Sequence, residues 1–554
     1  MSSPTEPPDP SSDPASGRLT RRESLALLGG LALSGCRRET PPPAPVVVAA
    51  PDYEARGHRL REAPKPLDRG RSPSSRRAVV IVGAGIAGLS AAWRLRDAGV
   101  TDVEVVEMGS VIGGTARGDA GRCPWGAHYL PVPNPESVAT LRFLEAIGLA
   151  GRAEATGGWR FDERHLVFEP EDRLYFRGRW YDGLYLRAGA STADLAELAR
   201  FDADMAALRV ARGNDRRLAF TLPTALSSQD PDFTALDREI FAAWLTRHRF
   251  TSTRLLAFVD YACRDDYGAG IAEVSAWAGL HYFAGRRSIE TPETRGTHYF
   301  TWPEGNGWLA EQLRRLAGLE GPRLALDALA TAVTPDGEVT LDAASGDARR
   351  LVAADAVILA TPNHVTARLL GRRPFGVHAP WAVVNLVLNR LPETDTGAWN
   401  NVICDGKGLG YVDASHQRLG QRLPPGEALD SPICWTWYRA YGRAERGALL
   451  AATPESLGEA ALSELRRGHP DLPRCVERIE TCRWGHGTII PTPGLQFGEA
   501  RRAFARSEGR VFLAHTDLGG LPFFEEAQFQ GIAAAEAAMA TLGVKGESWL
   551  GAAG

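Results

Sequence analysis

The sequence contains very little lysine. Of its 63 basic residues, three are lysines (Lys65, Lys407 and Lys545) and the rest are arginines. Acidic residues nearly balance them, and the formal net charge is −4 at pH 7. A charge of this size produces no strong overall field, and no basic stripe runs along the chain. Nucleic acid is therefore not an expected partner.

Long apolar runs and paired cysteines are also missing. No uninterrupted apolar run reaches the roughly 18 residues that a membrane-spanning helix needs, so none is predicted. The seven cysteines are scattered, and none forms a C-x-x-C pair. This scatter argues against a cysteine metal site and against a disulfide scaffold. The six cysteines after Cys36 are expected to be mostly buried thiols, and no metal site is predicted.

Two patterns near the N-terminus indicate export. Thr20-Arg21-Arg22-Glu23-Ser24-Leu25 is similar to a twin-arginine signal, and Leu33-Ser34-Gly35-Cys36 is similar to a lipobox. Together they predict a signal over residues 1–36, cleavage before Cys36 and a lipid on its thiol. The folded protein would then leave by the twin-arginine route and be anchored at the periplasmic or outer membrane face. Residues 37–76 are rich in proline and arginine, which predicts an extended linker.

The stretch that follows predicts a dinucleotide site. Ala78–Val82 has the apolar character of a buried strand, and Ile86–Asp97 has that of a helix. The turn between them reads G-x-G-x-x-G and consists of Gly83, Ala84, Gly85, Ile86, Ala87 and Gly88. In such a turn the second glycine lets a pyrophosphate approach the backbone, and the third lets the helix pack against the sheet. A second strand, Asp102–Glu107, ends in a carboxylate placed to accept a hydrogen bond from a ribose hydroxyl.

A second glycine motif lies just beyond this strand, Gly113-Gly114-Thr115-Ala116-Arg117. Here the chain resembles the flavin-containing amine oxidase and phytoene-desaturase superfamily, in which G-G-x-x-R follows the ribose-binding glutamate. The resemblance implies FAD, with Gly113, Gly114, Thr115 and Arg117 around its pyrophosphate and flavin. No cysteine follows Cys482, and neither His128 nor Tyr129 carries an attachment signature. The FAD is therefore expected to be bound non-covalently.

The resemblance implies further FAD contacts elsewhere in the chain. They are Gly126, Ala127, His128, Val333, Ala360, Asp517, Phe524 and Ala527. The first three flank the flavin ring, Val333 and Ala360 lie near the adenylate, and Asp517 meets the ribityl or pyrophosphate part. A C-terminal helix predicted over Glu525–Leu542, with Phe524 and Ala527 marking its start, points its N-terminus at the pyrimidine edge of the flavin, where it favours negative charge. His515 stands where the family usually has a glycine.

The resemblance implies an α/β fold with a discontinuous Rossmann-like FAD-binding domain and an inserted α+β substrate domain. The FAD-binding segments are predicted at 77–165, 301–377 and 496–545. The substrate domain is predicted at 166–300 and 378–495.

The expected activity is hydride transfer from a small organic substrate to flavin N5. An amine oxidase-like reaction is one possibility, and oxidation of C–C bonds in a lipophilic, isoprenoid-like substrate is another. A protein of a different class, a binding protein that kept the fold without the chemistry, is the third. The electron acceptor is not indicated by the sequence.

Candidate catalytic residues come from the same resemblance. Many amine oxidases carry a flavin-facing lysine on the strand corresponding to Trp381–Leu388. This chain has no lysine there, and Asn385 lies near that position. Trp484 and His128 are the other two catalytic candidates.

Overall fold

A computed structural model describes residues 44–51, 53–62, 72–119, 122–154, 157–167, 169–343, 349–395, 397–414 and 433–551. From Pro45 onward these residues belong to one structural unit. The predicted signal over 1–36, with Cys36, lies outside the described residues. Among the residues that are described, no helix has the length and apolar character needed to cross a membrane.

The described strands, in chain order, are β1 (Val46–Ala49), β2 (Ser75–Val82), β3 (Val103–Val106), β4 (Gly118–Asp119), β5 (Cys123–Pro124), β6 (Tyr129–Pro131), β7 (Ala150–Arg152), β8 (Trp159–Phe161), β9 (Asp172–Phe176), β10 (Arg179–Asp182), β11 (Tyr299–Thr301), β12 (Leu324–Ala325), β13 (Ala328–Val333), β14 (Glu338–Ala343), β15 (Arg349–Leu359), β16 (Val377–Leu388), β17 (Asn400–Ile403), β18 (Tyr411–Asp413), β19 (Ile433–Ala440), β20 (Val476–Ile490) and β21 (Val511–Leu513).

The described α-helices are α1 (Glu54–His58), α2 (Ile86–Asp97), α3 (Val138–Ala146), α4 (Thr192–Val210), α5 (Pro231–Thr234), α6 (Phe241–Arg247), α7 (Thr253–Tyr267), α8 (Ala276–Ala284), α9 (Gly307–Ala317), α10 (Asn363–Leu369), α11 (Arg446–Ala451), α12 (Pro454–Leu465), α13 (Glu499–Phe504), α14 (Thr516–Gly519) and α15 (Phe524–Thr541).

The first large sheet contains the glycine turn. Its strand order is β12-β3-β2-β15-β14-β13, with β21 paired to β15. Strands β3, β2, β15 and β21 run parallel, and residues 79–82 of β2 are buried, as expected for a strand covered on both faces. Helices α2, α9 and α15 share one apolar core on one face of this sheet. The parallel strands therefore end at a common edge, and the glycine turn lies there. The predicted α/β class is confirmed.

The second large sheet has the order β1-β20-β16-β19-β18-β17-β9-β10. Its central strand β16 pairs antiparallel with both β19 and β20. The helices between residues 192 and 284 pack with residues of this sheet in an aromatic-rich core. This part of the molecule also contains a pocket lined mainly by aromatic residues.

Part of the predicted extended linker is folded onto the protein, which corrects that expectation. Strand β1 pairs in parallel with β20, with Val46 opposite Arg478 and Ala49 opposite Thr481. Helix α1 follows, and Leu60 is buried in an apolar cluster. The proline and arginine content predicted a tether, but the apolar run of β1 and a single leucine provide enough contact to hold this segment in place.

The expectation of free thiols is wrong for one pair of cysteines. Cys123 on β5 and Cys434 on β19 form a disulfide across 311 residues of sequence, with their Cα atoms 6.2 Å apart. Sequence spacing cannot reveal this pair, because packing of β5 against β19 brings the two together. Cys263, Cys475 and Cys482 are buried thiols, as expected, and Cys404 is a half-buried one.

Candidate functional site

The glycine turn after β2 has the geometry of a dinucleotide cradle. A Cβ added to Gly88 would lie 1.9 Å from the carbonyl oxygen of Gly83, so α2 can approach the turn only with glycine there. At Gly85 the nearest atom to an added Cβ is the Cα of Gly114, 3.9 Å away. The backbone at Gly85 thus faces open space at the N-terminus of α2, where a pyrophosphate would bind.

Glu107 is positioned next to this turn by backbone hydrogen bonds. One carboxylate oxygen accepts from the amide of Ala84 and the other from the amide of Gly109, both at 2.9 Å. Burial raises the pKa of Glu107, although these amides and the nearby Arg117 favour its ionised form. The carboxylate therefore stands at the end of β3, where a ribose would need an acceptor.

The second glycine motif lies directly against the first. The amide of Gly113 donates to the carbonyl of Ala84 at 2.8 Å. The carbonyl of Thr115 in turn accepts from the amide of Ala127 at 2.9 Å, which brings Gly126 and Ala127 to the same place. The structure therefore brings together four separate parts of the sequence prediction: the first turn, Glu107, the second glycine motif and Gly126-Ala127.

Residues 51 and 53–62, here called the covering segment, lie over part of this arrangement. The Arg117 guanidinium lies between the rings of Tyr53 and Trp484, 5.2 and 4.6 Å from their centroids, and donates to the carbonyl of Pro51 at 3.2 Å. The Tyr53 hydroxyl accepts from the backbone amide of Ser110 at 3.1 Å. The residue expected at the pyrophosphate and flavin is thus in contact with the chain's own N-terminal part.

The rest of the covering segment continues toward the expected adenine position. Arg56 pairs with Asp327 at 2.7 Å and donates to the carbonyl of Met108. Leu60 belongs to the same apolar cluster as Val106 and Val333. The glycine turn and Glu107 therefore fit an adenine dinucleotide, while the covering segment contacts the part of the site that would hold its adenosine half.

The remaining expected FAD contacts occupy strand and helix ends. Ala360 follows β15 and donates its amide to the carbonyl of Val82 at 2.8 Å. Phe524 and Ala527 lie in the first turn and a half of α15 and are buried. Two buried glutamates, Glu525 and Glu526, share this helix end, and burial raises the pKa of each to about 7. An anion at this N-terminus would therefore meet two carboxyl groups as well as the helix dipole.

Asp517 is buried, but its oxygens face protein groups. One oxygen accepts from the backbone and side-chain nitrogens of Asn363, both at 2.8 Å, and from Nε2 of His378 at 3.0 Å. Nδ1 of His515 lies 3.2 Å from the other oxygen. Burial opposes ionisation of Asp517, but electrostatic attraction and hydrogen bonds from the nearby His378 and His515 rings outweigh it and hold its pKa well below the usual range. The predicted contact with the ribityl or pyrophosphate part of FAD stays a prediction.

A cluster of three histidines adjoins Asp517. His364, His378 and His486 place one ligand nitrogen each within 4.8 Å of the others. Burial lowers the pKa of His364 to about 3 and that of His486 to about 4. The scatter of the cysteines predicted no metal site, and these histidines are far apart along the chain. The G-H-G pattern around His486 is the only local sequence signal that could have indicated the histidine cluster.

An aromatic pocket of about 450 Å³, part of it open to solvent, lies among the described residues. Its lining is mainly aromatic and acidic, and includes His128, Tyr129, Asp172, Tyr261, Asp265, Tyr282, Tyr299, Trp399 and Tyr438. Burial, and the neighbouring Glu171, raise the pKa of Asp172 to about 7. Burial and the charge of Asp266 raise the pKa of Asp265. These pocket residues were not among the sequence-predicted site residues, apart from His128.

The three candidate catalytic residues are in different environments. His128 lines the pocket and stacks on Tyr438 at 4.6 Å, and burial lowers its pKa to about 3. Asn385 is fully buried, donates to the carbonyl of Pro124 at 2.9 Å and accepts from Thr436 at 2.8 Å. Trp484 donates to the carbonyl of Trp125 at 2.7 Å. Asn385 and Trp484 thus hold the strand that leads to Gly126, whereas His128 faces the cavity.

Comparisons with known proteins agree with this architecture. A family model described as an NAD(P)-binding Rossmann-like domain matches residues 81–146. Cyclohexylamine oxidase from Brevibacterium oxydans IH-35A is 17% identical with a TM-score of 0.58, covering 84% of this chain and 99% of that one. Putrescine oxidase bound to putrescine is also 17% identical with a TM-score of 0.58, and the match covers 84% of this chain and 99% of that one. The chain has the flavin amine oxidase fold.

The same fold extends to proteins with other chemistry. Reduced UDP-galactopyranose mutase is 14% identical with a TM-score of 0.53, covering 86% of this chain and 96% of its own. Comparison with curated protein sequences gives no match. At these identities the structural likeness establishes the fold alone, and the reaction has to be argued from the site.

Proposed function

We propose that this protein is an FAD-dependent oxidoreductase that oxidises small amines. The observation that carries the proposal is the position of the aromatic pocket. His128 and Tyr129 line it, and they directly follow Gly126 and Ala127, which are expected to flank the flavin. The hydroxyl of Tyr438, another lining residue, donates to the carbonyl of Gly126 at 2.9 Å. A substrate in the pocket would therefore lie beside the expected flavin position.

The chemistry of the pocket favours a cation. Aromatic faces attract ammonium groups, and a carboxylate at the same place adds charge attraction. Asp266 is already paired with Arg286 at 2.8 Å and accepts from the Tyr129 hydroxyl, also at 2.8 Å. Asp172 and Asp265 line the cavity itself. A protonated amine would pair with either of them, whereas an isoprenoid chain would leave these carboxyl groups buried against hydrocarbon.

Different residues of this chain would bind the cofactor and orient the substrate. Gly85, Glu107 and Arg117 would hold the dinucleotide, non-covalently, and FAD when bound supplies the hydride acceptor. The aromatic walls would orient the substrate and exclude water. Because the pKa of His128 is low, its ring is neutral and can accept a hydrogen bond from an ammonium group.

A second candidate, a binding protein without redox chemistry, is favoured by the covering segment. Contacts of Tyr53 and Pro51 with Arg117 place protein where the pyrophosphate and flavin are expected. If FAD never displaces them, the fold serves only to bind a ligand in the aromatic pocket.

Anaerobic reduction of the bound flavin tests the enzyme proposal. The purified protein should be yellow, and primary alkylamines and diamines should bleach it, while amino acids and isoprenoids should not. Acid precipitation should release all of the flavin into the supernatant. A colourless protein that takes up no FAD would support the binding protein instead, and a yellow protein that no amine bleaches would contradict amine oxidation.

The pH dependence of amine oxidation should identify the carboxylate that binds the substrate. Asp172 with a pKa of about 7 is mostly protonated at pH 6 and mostly ionised at pH 8. Since only the ionised form pairs with a cation, KM for an amine should fall about tenfold between these two values. Asp172→Asn should have a raised KM and should lose this dependence. A KM that is flat with pH in the wild type would contradict the role of Asp172.

We also propose that the protein is exported by the twin-arginine route and anchored through a lipid on Cys36. Besides the two N-terminal patterns, the Cys123–Cys434 disulfide supports this, because disulfides persist mainly in oxidising compartments. Fractionation of cells that express Cys36→Ala should find the flavoprotein released from the membrane, and unchanged attachment would argue against the lipobox.

A further inference from the structure

We propose that His364, His378 and His486 form a binding site for one divalent transition-metal ion, with Zn²⁺ as the reference ion. The site does not depend on the proposed flavin chemistry, because its ligands and their supports are all protein groups.

The three histidines converge from three different elements. His364 is on α10, His378 on β16 and His486 on β20. Their ligand nitrogens lie within 4.8 Å of one another, and the ring centroids of His364 and His486 are 4.3 Å apart. Zn–N bonds of about 2.0–2.1 Å set tetrahedral ligands about 3.4 Å apart. The ligand nitrogens would therefore approach one another by up to about 1.4 Å around an ion, which side-chain rotation can supply.

A bulge in the second sheet places His486 in this cluster. Ala379 pairs with Thr488 and Trp381 with Trp484, so one residue of β16 faces three residues of β20, Gly485-His486-Gly487. The single residue is Pro380, which has no amide to donate to the ladder. The extra residues of β20 fall outside the paired register, as in other β-bulges. The ring of His486 lies against that of His378.

Glycine is needed on one side of this bulge. A Cβ added to Gly487 would lie 2.6 Å from a ring carbon of Trp381. This particular sequence therefore forms the bulge, and the bulge determines the position of the His486 imidazole.

The second support is a carboxylate that orients one ligand. His378 Nε2 is hydrogen-bonded to Asp517 at 3.0 Å, which leaves Nδ1 of the same ring for an ion. A carboxylate behind a histidine is the usual arrangement at metal sites, because it fixes the ring and raises its basicity. Within the described residues, Nδ1 of His364 is buried and has no hydrogen-bond partner. A metal ion would satisfy this nitrogen.

The ligand set selects the class of ion. Three imidazoles suit Zn²⁺, Cu²⁺ or Ni²⁺, whereas Mg²⁺ and Ca²⁺ prefer oxygen ligands. Arg446 donates to the backbone carbonyl of His378 at 2.5 Å and its charge opposes a cation. The buried charge of Asp517 offsets it. Three protein ligands leave the fourth tetrahedral position open to water or to another ligand.

The test is a zinc titration of the full chain, purified without a histidine tag and stripped with a chelator. We expect one Zn²⁺ per chain by calorimetry and by elemental analysis, and no heat with Mg²⁺. His364→Gln and His486→Gln should each weaken zinc binding about 100-fold or more, and Asp517→Asn about 10-fold or more. The matched control is His298→Gln, an exposed histidine that pairs with Glu171 outside the cluster. It should bind zinc like the wild type.

Circular dichroism with chelator present establishes that each variant is folded before its zinc affinity is compared. The titration is run on flavin-free and flavin-loaded protein, so that a failure of the flavin proposal does not affect it. Zinc binding of equal strength in the wild type, His364→Gln and His486→Gln would overturn the site. So would the absence of binding by the wild type at micromolar zinc.

Discussion

Gly85→Val should yield a folded protein that carries less than about a tenth of the wild-type flavin. Gly85 has φ −75° and ψ 179°, an extended conformation that valine adopts readily. Within the chain, an added Cβ would meet no atom closer than 3.9 Å. Neither backbone strain nor packing therefore requires glycine at this position. The valine methyl groups would instead fill the space that a pyrophosphate must enter to reach the backbone amides.

The expected loss follows from the number of contacts that this space allows. If valine removes two or three hydrogen bonds of about 0.5–1.5 kcal/mol each, FAD affinity falls roughly 5- to 2,000-fold. The measurement is the ratio of flavin to protein absorbance after purification, together with the thermal midpoint from circular dichroism. A folded Gly85→Val protein with normal flavin content would rule out dinucleotide binding at this turn.

Gly151 offers a matched control for this substitution. It lies in β7, and an added Cβ there meets nothing within 4 Å. Gly151→Val should therefore keep both the fold and the flavin. A loss of flavin in this control would mean that valine in place of a glycine with free space around it lowers flavin content by destabilising the fold.

The glycine turn also shows how much of the fold the sequence predicts. Helix α2 was predicted over Ile86–Asp97 and has these bounds, because a buried strand, a glycine turn and a glycine stop leave little choice. The C-terminal helix was predicted over Glu525–Leu542 and runs over Phe524–Thr541. Local rules of this kind operate within about twenty residues.

Contacts between distant residues are what the sequence did not reveal. The disulfide joins residues 311 positions apart, and His364 and His486 lie on a helix and a strand that are far apart along the chain. Asp517 comes four residues after β21, a strand of the first sheet. Its partners, Asn363 and His378, come from elements more than 130 residues earlier. No local pattern specifies which distant side chains will meet, since tertiary packing decides that.

The covering segment is the third case, and it changes what the site is expected to do. Composition predicted an extended linker, yet this segment contacts Gly109, Ser110 and Arg117. Because the rings of Tyr53 and Trp484 already lie against the Arg117 guanidinium, we expect FAD to displace Tyr53 when it binds at this residue. The covering segment and FAD would then compete, and apparent FAD affinity would be reduced by the fraction of molecules in which the segment covers the site.

We accordingly expect Tyr53→Ala/Arg56→Ala to bind FAD about 10- to 30-fold more tightly than the wild type. The Arg56–Asp327 ion pair, at 2.7 Å and partly exposed, contributes at most about 1 kcal/mol. The Tyr53 hydrogen bonds to Ser110, at 2.8 and 3.1 Å, contribute a similar amount. Their loss destabilises the covered state by about 2 kcal/mol, which is about 30-fold in the open fraction while the covered state dominates.

Titration of flavin-free protein with FAD, followed by quenching of flavin fluorescence, measures this change. The matched control is Arg76→Ala, which removes another ion pair of 2.7 Å, to Asp355, outside the covering segment. Its FAD affinity should equal that of the wild type. Weaker binding by the double variant would reverse the interpretation, because the segment would then close over bound FAD and hold it. Equal affinity would show that Tyr53 and Arg56 do not compete with the cofactor, and Arg117 would have to bind FAD without releasing them.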